Sequence, residues 1–231
     1  MNSITMASFP RLDEIDYEQF ITEDDTPVDS VFADKQHRLL VESLYSSWNC
    51  PRQFLACTNV GLYYHPHEPP LVPDMLLSLD VKPAKDKRAK KNRVYFTWVF
   101  GKPPDVVVEV VSNREGEEND RKFRIYQEIG VPYYVIFDPD HEILDTVLLV
   151  YELQDEKYHR KQTHWLDKVE LGLTLWEGDY EQYPALWLRW CDRKGVMYPT
   201  AFEQRIYAEQ ERKIKEKLAA KLRALGVDPE L

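Results

Sequence analysis

The stretch PDVVVEVV, at residues 104–111, decides the fold of this chain. From Val106 to Val111 every residue is valine except Glu109. β-Branched side chains favour extended backbone, and an apolar run without alternation is typical of a strand that is buried on both faces of a sheet. The sequence therefore predicts a central strand over Val106–Val111, with one carboxylate inside it.

Helical and strand-like segments alternate on both sides of this strand. Apolar residues at three- and four-residue spacing indicate helices, and β-branched or aromatic runs bounded by turn residues indicate strands. In chain order we expect a helix from about Asp34 to Pro51, strands within Phe54–Tyr64, Leu71–Val81 and Tyr95–Val99, the central strand, a helix over Glu118–Ile129 that ends at Gly130, and a strand over Tyr133–Phe137. This order predicts an α/β fold with a mixed central sheet and a crossover helix.

Composition divides the chain into three regions. Residues 1–34 form an acidic arm with little periodicity, residues 35–197 form the α/β domain, and residues 198–231 form a charged helix. Within the domain, segments rich in Trp and Tyr from Ile143 to Trp190 predict further short strands, which we expect to extend the same sheet.

The predicted C-terminal helix carries a narrow apolar stripe among interspersed charges. The stripe consists of Ile214, Leu218, Leu222 and Leu225. A helix of this kind is either solvated or pairs with a partner helix. A homodimer is therefore one expectation.

The overall charge limits the partners of the protein. The formal net charge is −10, which argues against general attraction to nucleic acid or to an anionic membrane, so any contact with DNA has to be local. No segment reaches the roughly 20 apolar residues of a membrane span, and the N-terminus lacks the layout of a signal peptide. Cys50, Cys57 and Cys191 form no C-x-x-C pair. We therefore expect a cytoplasmic protein with buried structural thiols.

Glu109 is costly inside a run of buried valines unless its carboxylate is paired with a cation or bound to a metal. Two aspartates that follow prolines, Asp74 and Asp105, compete for the place of a second carboxylate. Asp105 lies four residues earlier on the same strand, about 13 Å away at the usual strand rise, which is too far for direct sharing of one ion. Asp74 lies in another predicted strand. If the two strands are neighbours, Asp74 and Glu109 can converge on one hard cation.

Lys122 is a further charge in an unusual place. On the predicted helix it shares a stripe with Ile125, Tyr126 and Ile129, so its side chain leans towards the sheet. It also lies in the predicted first turn, where the helix dipole disfavours a cation. A lysine that extends past the helix end into solvent is the alternative.

Two other polar segments carry weaker signals. The segment KPAKDKRAKKNR at 82–93 holds seven basic residues and one aspartate, and we predict a hairpin whose charged tip either contacts the DNA backbone or is only solvated. His65 and His67 lack a further residue that would complete a metal site, so we expect a surface loop there. His37 lies on an apolar stripe and is expected to be a core histidine.

Five segments together resemble the PD-(D/E)XK nuclease superfamily, and more closely its Uma-two family of endonucleases, which is abundant in cyanobacteria. They are VPDMLLSLDV at 72–81, PPDVVVEVVS at 103–112, DRKFRIYQEIGVPYYVIFDP at 120–139, LGLTLWEGDY at 171–180 with LWLRW at 186–190, and LRALGVDPEL at 222–231. The resemblance covers nearly everything after about Asp24. It implies a restriction-endonuclease-like fold.

The same resemblance implies a site and an activity. Asp74 and Glu109, with the backbone carbonyl near Val110, would bind a divalent ion, Mg²⁺ or Mn²⁺. The superfamily lysine normally stands two residues after the glutamate, where this chain has Val111, and the family carries a lysine on the following helix, here Lys122. The implied reaction is metal-assisted hydrolysis of DNA phosphodiester bonds, in which Lys122 stabilises the attacking water or the charge that develops on the phosphate.

The sequence departs from the family pattern in one loop and leaves an alternative open. The family's Ser-Pro-Ser after the central strand is Ser112-Asn113-Arg114 here. Asn59 matches a polar position of the family, where it either contacts the site or serves a turn. The alternative to an enzyme is a catalytically silent DNA- or protein-binding module on the same fold, which Val111 and the negative net charge favour.

Overall fold

The computed structural model describes residues 15–21, 30–82, 86, 88–111 and 116–225, with the side chains of 116–119 left out. The helices are α1 (Val31–Ser47), α2 (Thr97–Phe100), α3 (Gly116–Glu128) and α4 (Ala201–Ala224). The strands are β1 (Phe54–Thr58), β2 (Leu62–Tyr63), β3 (Met75–Leu79), β4 (Tyr95–Phe96), β5 (Val106–Val110), β6 (Tyr133–Phe137), β7 (Leu148–Gln154), β8 (Lys157–Arg160), β9 (Trp165–Leu166), β10 (Leu171–Tyr180) and β11 (Tyr183–Cys191).

A six-stranded sheet in the order β1-β3-β5-β6-β7-β8 forms the centre of the domain. Neighbouring strands of this sheet are antiparallel except for β5 and β6, which run parallel and are joined through α3. The predicted mixed α/β sheet with a crossover helix is therefore confirmed. Every residue of β5 is buried, as the valine run predicted for a strand covered on both faces.

Different elements cover the two faces of this sheet. On one face, side chains at alternate positions of β5, including Val106 and Val108, pack with α1 and with β9, β10 and β11. On the other face, Val107 and Val111 pack with α3, mainly through Tyr126. Glu109 lies between Val107 and Val111 in this alternation, so its side chain is directed to the α3 face.

Helix α1 is fixed to β11 by hydrogen bonds between a side chain and the strand backbone. The Gln36 amide donates to the carbonyl of Leu188, and the Leu188 N–H donates back to Gln36, both at 2.9 Å and both buried. The Trp190 indole also donates to the carbonyl of Leu40 at 3.0 Å. These bonds fix the rotation of α1 about its axis. They thereby set the direction of the side chain of His37, the residue after Gln36.

The ends of the helices follow local sequence signals. Ser30 caps α1 by accepting from the N–H of Ala33, so this helix begins at Val31, before the expected start near Asp34. Gly130 follows α3 with a φ of +82°, the left-handed conformation that favours glycine after a helix. None of the helices in the described ranges is long and apolar enough to cross a membrane.

The predicted charged hairpin is wrong. Strand β4 pairs in parallel with β2, whereas β3 pairs with β1 and β5, so segment 82–93 connects strands of two different sheets. The strand expected over Tyr95–Val99 is shorter than predicted, because the chain turns into α2 at Thr97. Of the basic side chains that are described, Lys90 donates to the backbone carbonyl of Glu18 at 2.6 Å, so the acidic arm contacts this segment.

The expected extension of the sheet by the later strands is correct only in part. Strands β7 and β8 extend the central sheet, while β9, β10 and β11 form a separate three-stranded sheet. All three cysteines are free thiols, as expected, but only Cys191 is fully buried. The C-terminal helix forms as predicted, and its apolar stripe is exposed.

Asp105 connects β5 to β3 at the end of β5 opposite to Glu109. Its Oδ2 accepts from the Leu79 N–H at 2.7 Å and from the Lys102 ammonium. Asp105→Ala leaves both donors without this acceptor, and we expect a loss of about 1–3 kcal/mol in the free energy of unfolding. Asp105→Asn keeps an acceptor oxygen and should lose less. Urea unfolding measures both variants, and an equal loss in the two would contradict this role.

Candidate functional site

Asp74 directly precedes β3, and Glu109 lies in the neighbouring strand β5. In the antiparallel pairing of β3 with β5, Met75 is the partner of Val108. One step further in the same register, Asp74 faces Glu109. The expectation that the two acids belong to adjacent strands is therefore met, while Asp105 lies at the other end of β5.

The Glu109 carboxylate is buried and bonded on both oxygens. Its side chain is 5% exposed, and Oε2 lies 3.0 Å from the Lys122 ammonium. The Tyr126 hydroxyl donates to Oε1 at 2.7 Å. Lys122 and Tyr126 are four residues apart on α3, so one face of the helix supplies both partners. The lysine therefore reaches the sheet, as its apolar stripe predicted.

Helix α3 begins at Gly116, earlier than the expected start at Glu118. Lys122 consequently lies beyond the first turn, and the predicted dipole penalty on its charge does not apply. Its ammonium also lies 3.4 Å from the backbone carbonyl of Val72, just before Asp74. The lysine thus stands between the two strands that carry the acids.

Burial raises the pKa of Glu109 to about 7, although the Lys122 ammonium acts in the opposite direction. The charge of Asp74 contributes to the rise, and the hydrogen bond from Tyr126 opposes it. The pKa of Tyr126 is itself raised well above its ordinary value by burial and by the charge of Glu109. This phenol therefore remains a hydrogen-bond donor at neutral pH.

Asp74 is held by groups from three parts of the fold. Its Oδ2 accepts from the Val110 N–H at 2.6 Å, and its Oδ1 lies 3.7 Å from Nε2 of His37. Asn59 donates its backbone N–H to the Asp74 carbonyl at 3.3 Å, and its side chain approaches His37 at 3.5 Å. Asn59 has a φ of +53°, which fits the predicted turn. Its contacts with Asp74 and His37 also place it beside the candidate site.

Two contributors to this cluster were not predicted from the sequence. His37 is buried as expected, but it faces the carboxylate of Asp74. A local sequence pattern cannot predict a contact between residues so far apart in the chain. Tyr126 was recognised only as part of an apolar stripe. Its spacing of four from Lys122 was the signal that could have identified it.

The other candidates lie elsewhere or outside the described residues. His65 and His67 stack edge to face in the loop after β2, and the described contacts do not connect them with the acids. The loop Ser112-Asn113-Arg114 lies outside the described residues. Val111 is 7% exposed and packs in the apolar cluster under α3, so the usual lysine place holds no charge.

The donor set suits a hard cation that uses few protein ligands. Within the described ranges, no group of three His, Cys, Asp or Glu side chains could hold a metal. Mg²⁺, however, is commonly bound by one or two carboxylates, with water and substrate phosphate completing its shell. In an extended strand the N–H and C=O of one residue point to the same edge. The Val110 carbonyl is therefore directed to the side of Asp74, which its N–H already contacts.

The family model described as "Putative restriction endonuclease", Uma2, matches residues 23–178. The chain belongs to the Uma2 family. The match contains Asp74, Glu109 and Lys122 and ends within β10. It places the protein among nucleases by family.

The similarity of this chain to individual proteins is weaker. A solved structure described as "a putative nuclease belonging to DUF820", from Anabaena variabilis, aligns with a TM-score of 0.44 and 13% sequence identity. The alignment covers 61% of this chain and 72% of the chain from Anabaena variabilis. None of the curated proteins matches.

The raised pKa of Glu109 predicts a dependence of stability on pH. The pKa of Glu109 is about 7 in the folded protein and 4.5 ordinarily, so folding favours the protonated carboxyl group. The contribution of this group to stability is therefore fully present below about pH 4.5 and is lost as the pH rises through 7. Without divalent ions, the wild type should lose on the order of 3 kcal/mol relative to Glu109→Gln over this window. Urea unfolding in a chelating buffer at pH 5, 6 and 7 measures the difference. Parallel curves for the two proteins would contradict the shift.

Proposed function

We propose that this Uma2 protein is a metal-dependent DNA endonuclease that hydrolyses phosphodiester bonds. Membership of a nuclease family supports the reaction class. The observation that supports it most is local: the Lys122 ammonium lies 3.0 Å from the buried carboxylate of Glu109, directly beside Asp74. Two carboxylates and one compact ammonium form the set that metal-assisted phosphodiester hydrolysis uses.

We propose that Asp74, Glu109 and the carbonyl of Val110 hold the ion, Mg²⁺ or Mn²⁺. When bound, the ion supplies polarisation of the scissile phosphate and a lower pKa for a bound water. Tyr126 holds one oxygen of Glu109 through its hydroxyl, and the Val110 N–H holds one oxygen of Asp74. Both carboxylates are thereby oriented before any ligand arrives, which reduces the reorganisation that binding requires.

We assign the role of the missing strand lysine to Lys122. Its side chain is 13% exposed, so its charge acts in a medium less screened than bulk water. The ammonium offsets the two acids in the free protein, and it can stabilise the attacking water or the charge that develops on phosphate oxygens. A compact ammonium on a flexible stem suits such a position better than a planar guanidinium.

A catalytically silent module on the same fold is the second candidate. The observation that favours it is the burial of Val111 at the place of the usual lysine. In that case the Glu109–Lys122 pair serves only to neutralise buried charge. For either function we propose a cytoplasmic location, consistent with the three free thiols.

Cleavage of supercoiled plasmid DNA tests the enzyme directly. With Mg²⁺ or Mn²⁺ the wild type should nick or linearise the plasmid, and Lys122→Ala should lower the rate by a factor on the order of 10². Lys122→Arg should restore little activity. Lys102→Ala is the matched control, because Lys102 pairs with Asp105 at the other end of the same strand.

Circular dichroism would verify the fold of each variant. Wild-type protein that leaves the plasmid intact with both ions would favour the silent module. A Lys122→Ala variant that cleaves at the parental rate would remove the lysine from the mechanism.

A local basic surface should mediate the binding of DNA by so acidic a protein. Lys82 and Lys91 are exposed in the basic segment. Replacing both with glutamate should weaken DNA binding and reduce the slope of log affinity against log salt by up to about 2, since each phosphate contact contributes about 0.9. The control is Lys157→Glu with Lys194→Glu, an equal charge change at exposed positions of β8 and of the turn after β11. Identical slopes for all three proteins would show that DNA is held elsewhere.

A further inference from the structure

Helix α4 is attached to the domain at its N-terminal end. Thr200 and Glu203 form a reciprocal capping box, and Glu203 also forms an ion pair with the buried Arg189 at 2.7 Å. Gln204 donates to the carbonyl of Ser46 at 2.8 Å. From residue 205 onward, the described hydrogen bonds and ion pairs of α4 are all within the helix, such as Arg212 with Glu216. Between residues 205 and 225, Ala219 is buried and Glu209 is half-buried, while the other side chains are exposed.

The exposed part of α4 carries a regular seam of six residues. We use the term α4 seam for Tyr207, Glu211, Ile214, Leu218, Lys221 and Leu225. Successive members are spaced four, three, four, three and four residues apart, the spacing of the contact positions in a two-helix coiled coil. The apolar members are well exposed, at 53% for Tyr207, 58% for Ile214, 55% for Leu218 and 77% for Leu225.

We propose that the α4 seam pairs with the seam of a second copy of this chain, in antiparallel orientation and centred on residue 216. In this alignment Tyr207 lies opposite Leu225 of the partner subunit, and Ile214 lies opposite Leu218 of the partner subunit. Each apolar member thus meets an apolar member. The twofold axis repeats both contacts on the other side of the centre.

The two charged members of the seam select this orientation. In the antiparallel alignment Glu211 lies opposite Lys221 of the partner subunit, so the charged layers contain opposite charges. In a parallel pair in register, Glu211 would meet glutamate and Lys221 would meet lysine. Neither residue makes an ion pair with another side chain in the described part of the chain. A polar layer in an otherwise apolar seam is a known determinant of register and partner choice.

The distribution of charge along α4 gives an independent argument. Residues 201–212 carry three glutamates and two arginines, while residues 213–225 carry five basic residues and one glutamate. Because Glu203 is already paired with Arg189, the remaining charges of the first half cancel, and an antiparallel pair places this neutral half of one helix beside the basic half of the other. A parallel pair would bring together two strongly basic halves, which repel each other. Lys215 and Lys217 flank the centre, and their long side chains can extend into solvent.

The seam spans fewer than three heptads, so we expect weak association, in which the fraction of dimer rises with protein concentration. Sedimentation velocity of the full-length protein over a concentration series should show the mass of two chains at the upper end. Glu211→Lys and Lys221→Glu should each raise the dissociation constant by about tenfold, because each converts both charged layers to like charges. The combined variant should return close to the wild-type constant.

The controls are Glu216→Lys and Arg223→Glu, which make the same charge changes on the opposite face of α4 and should leave the constant unchanged. Circular dichroism would confirm that each variant keeps its helix content. A wild-type protein that stays monomeric throughout the series overturns the proposal. Association that neither seam variant weakens overturns it as well, because a parallel pair or another surface would then hold the copies together.

Discussion

The burial of a carboxylate inside a strand covered on both faces is the constraint on which the candidate site depends. Glu109 is 4% exposed, and a charge in such a place is tolerated only with close partners. Helix α3 supplies both partners, Lys122 and Tyr126, from one face. These two contacts fix the position and rotation of α3, the crossover helix between β5 and β6, on the sheet. The fold and the site therefore share one requirement, since the packing of α3 that buries the sheet also neutralises the acid.

The same residue types serve a different purpose at the other end of β5. Asp105 pairs with Lys102 three residues earlier and accepts the Leu79 N–H, so this carboxylate closes the local backbone. Glu109 instead pairs with a lysine thirteen residues away on another element and faces a second acid. Convergence of like charges from separate strands costs stability, and such arrangements are typical of functional sites.

Much of this arrangement could be predicted from the sequence, because its signals are local. The valine run predicted β5, and the helical stripe predicted that Lys122 reaches the sheet. The contact of His37 with Asp74 could not be predicted, since it depends on how Gln36 fixes α1 to β11. The prediction of a hairpin was wrong because β4 pairs with β2. A strand of two residues is too short to show a hydrophobic pattern in the sequence.

We propose above all that Asp74 and Glu109 together hold one divalent ion. Equilibrium binding of Mn²⁺, followed by electron paramagnetic resonance of the free ion, tests it without requiring a DNA substrate. We expect one ion per chain in the wild type and in Asp105→Asn, and loss of that ion in both Asp74→Asn and Glu109→Gln. An Asp74→Asn or Glu109→Gln protein that binds Mn²⁺ as tightly as the wild type would contradict it.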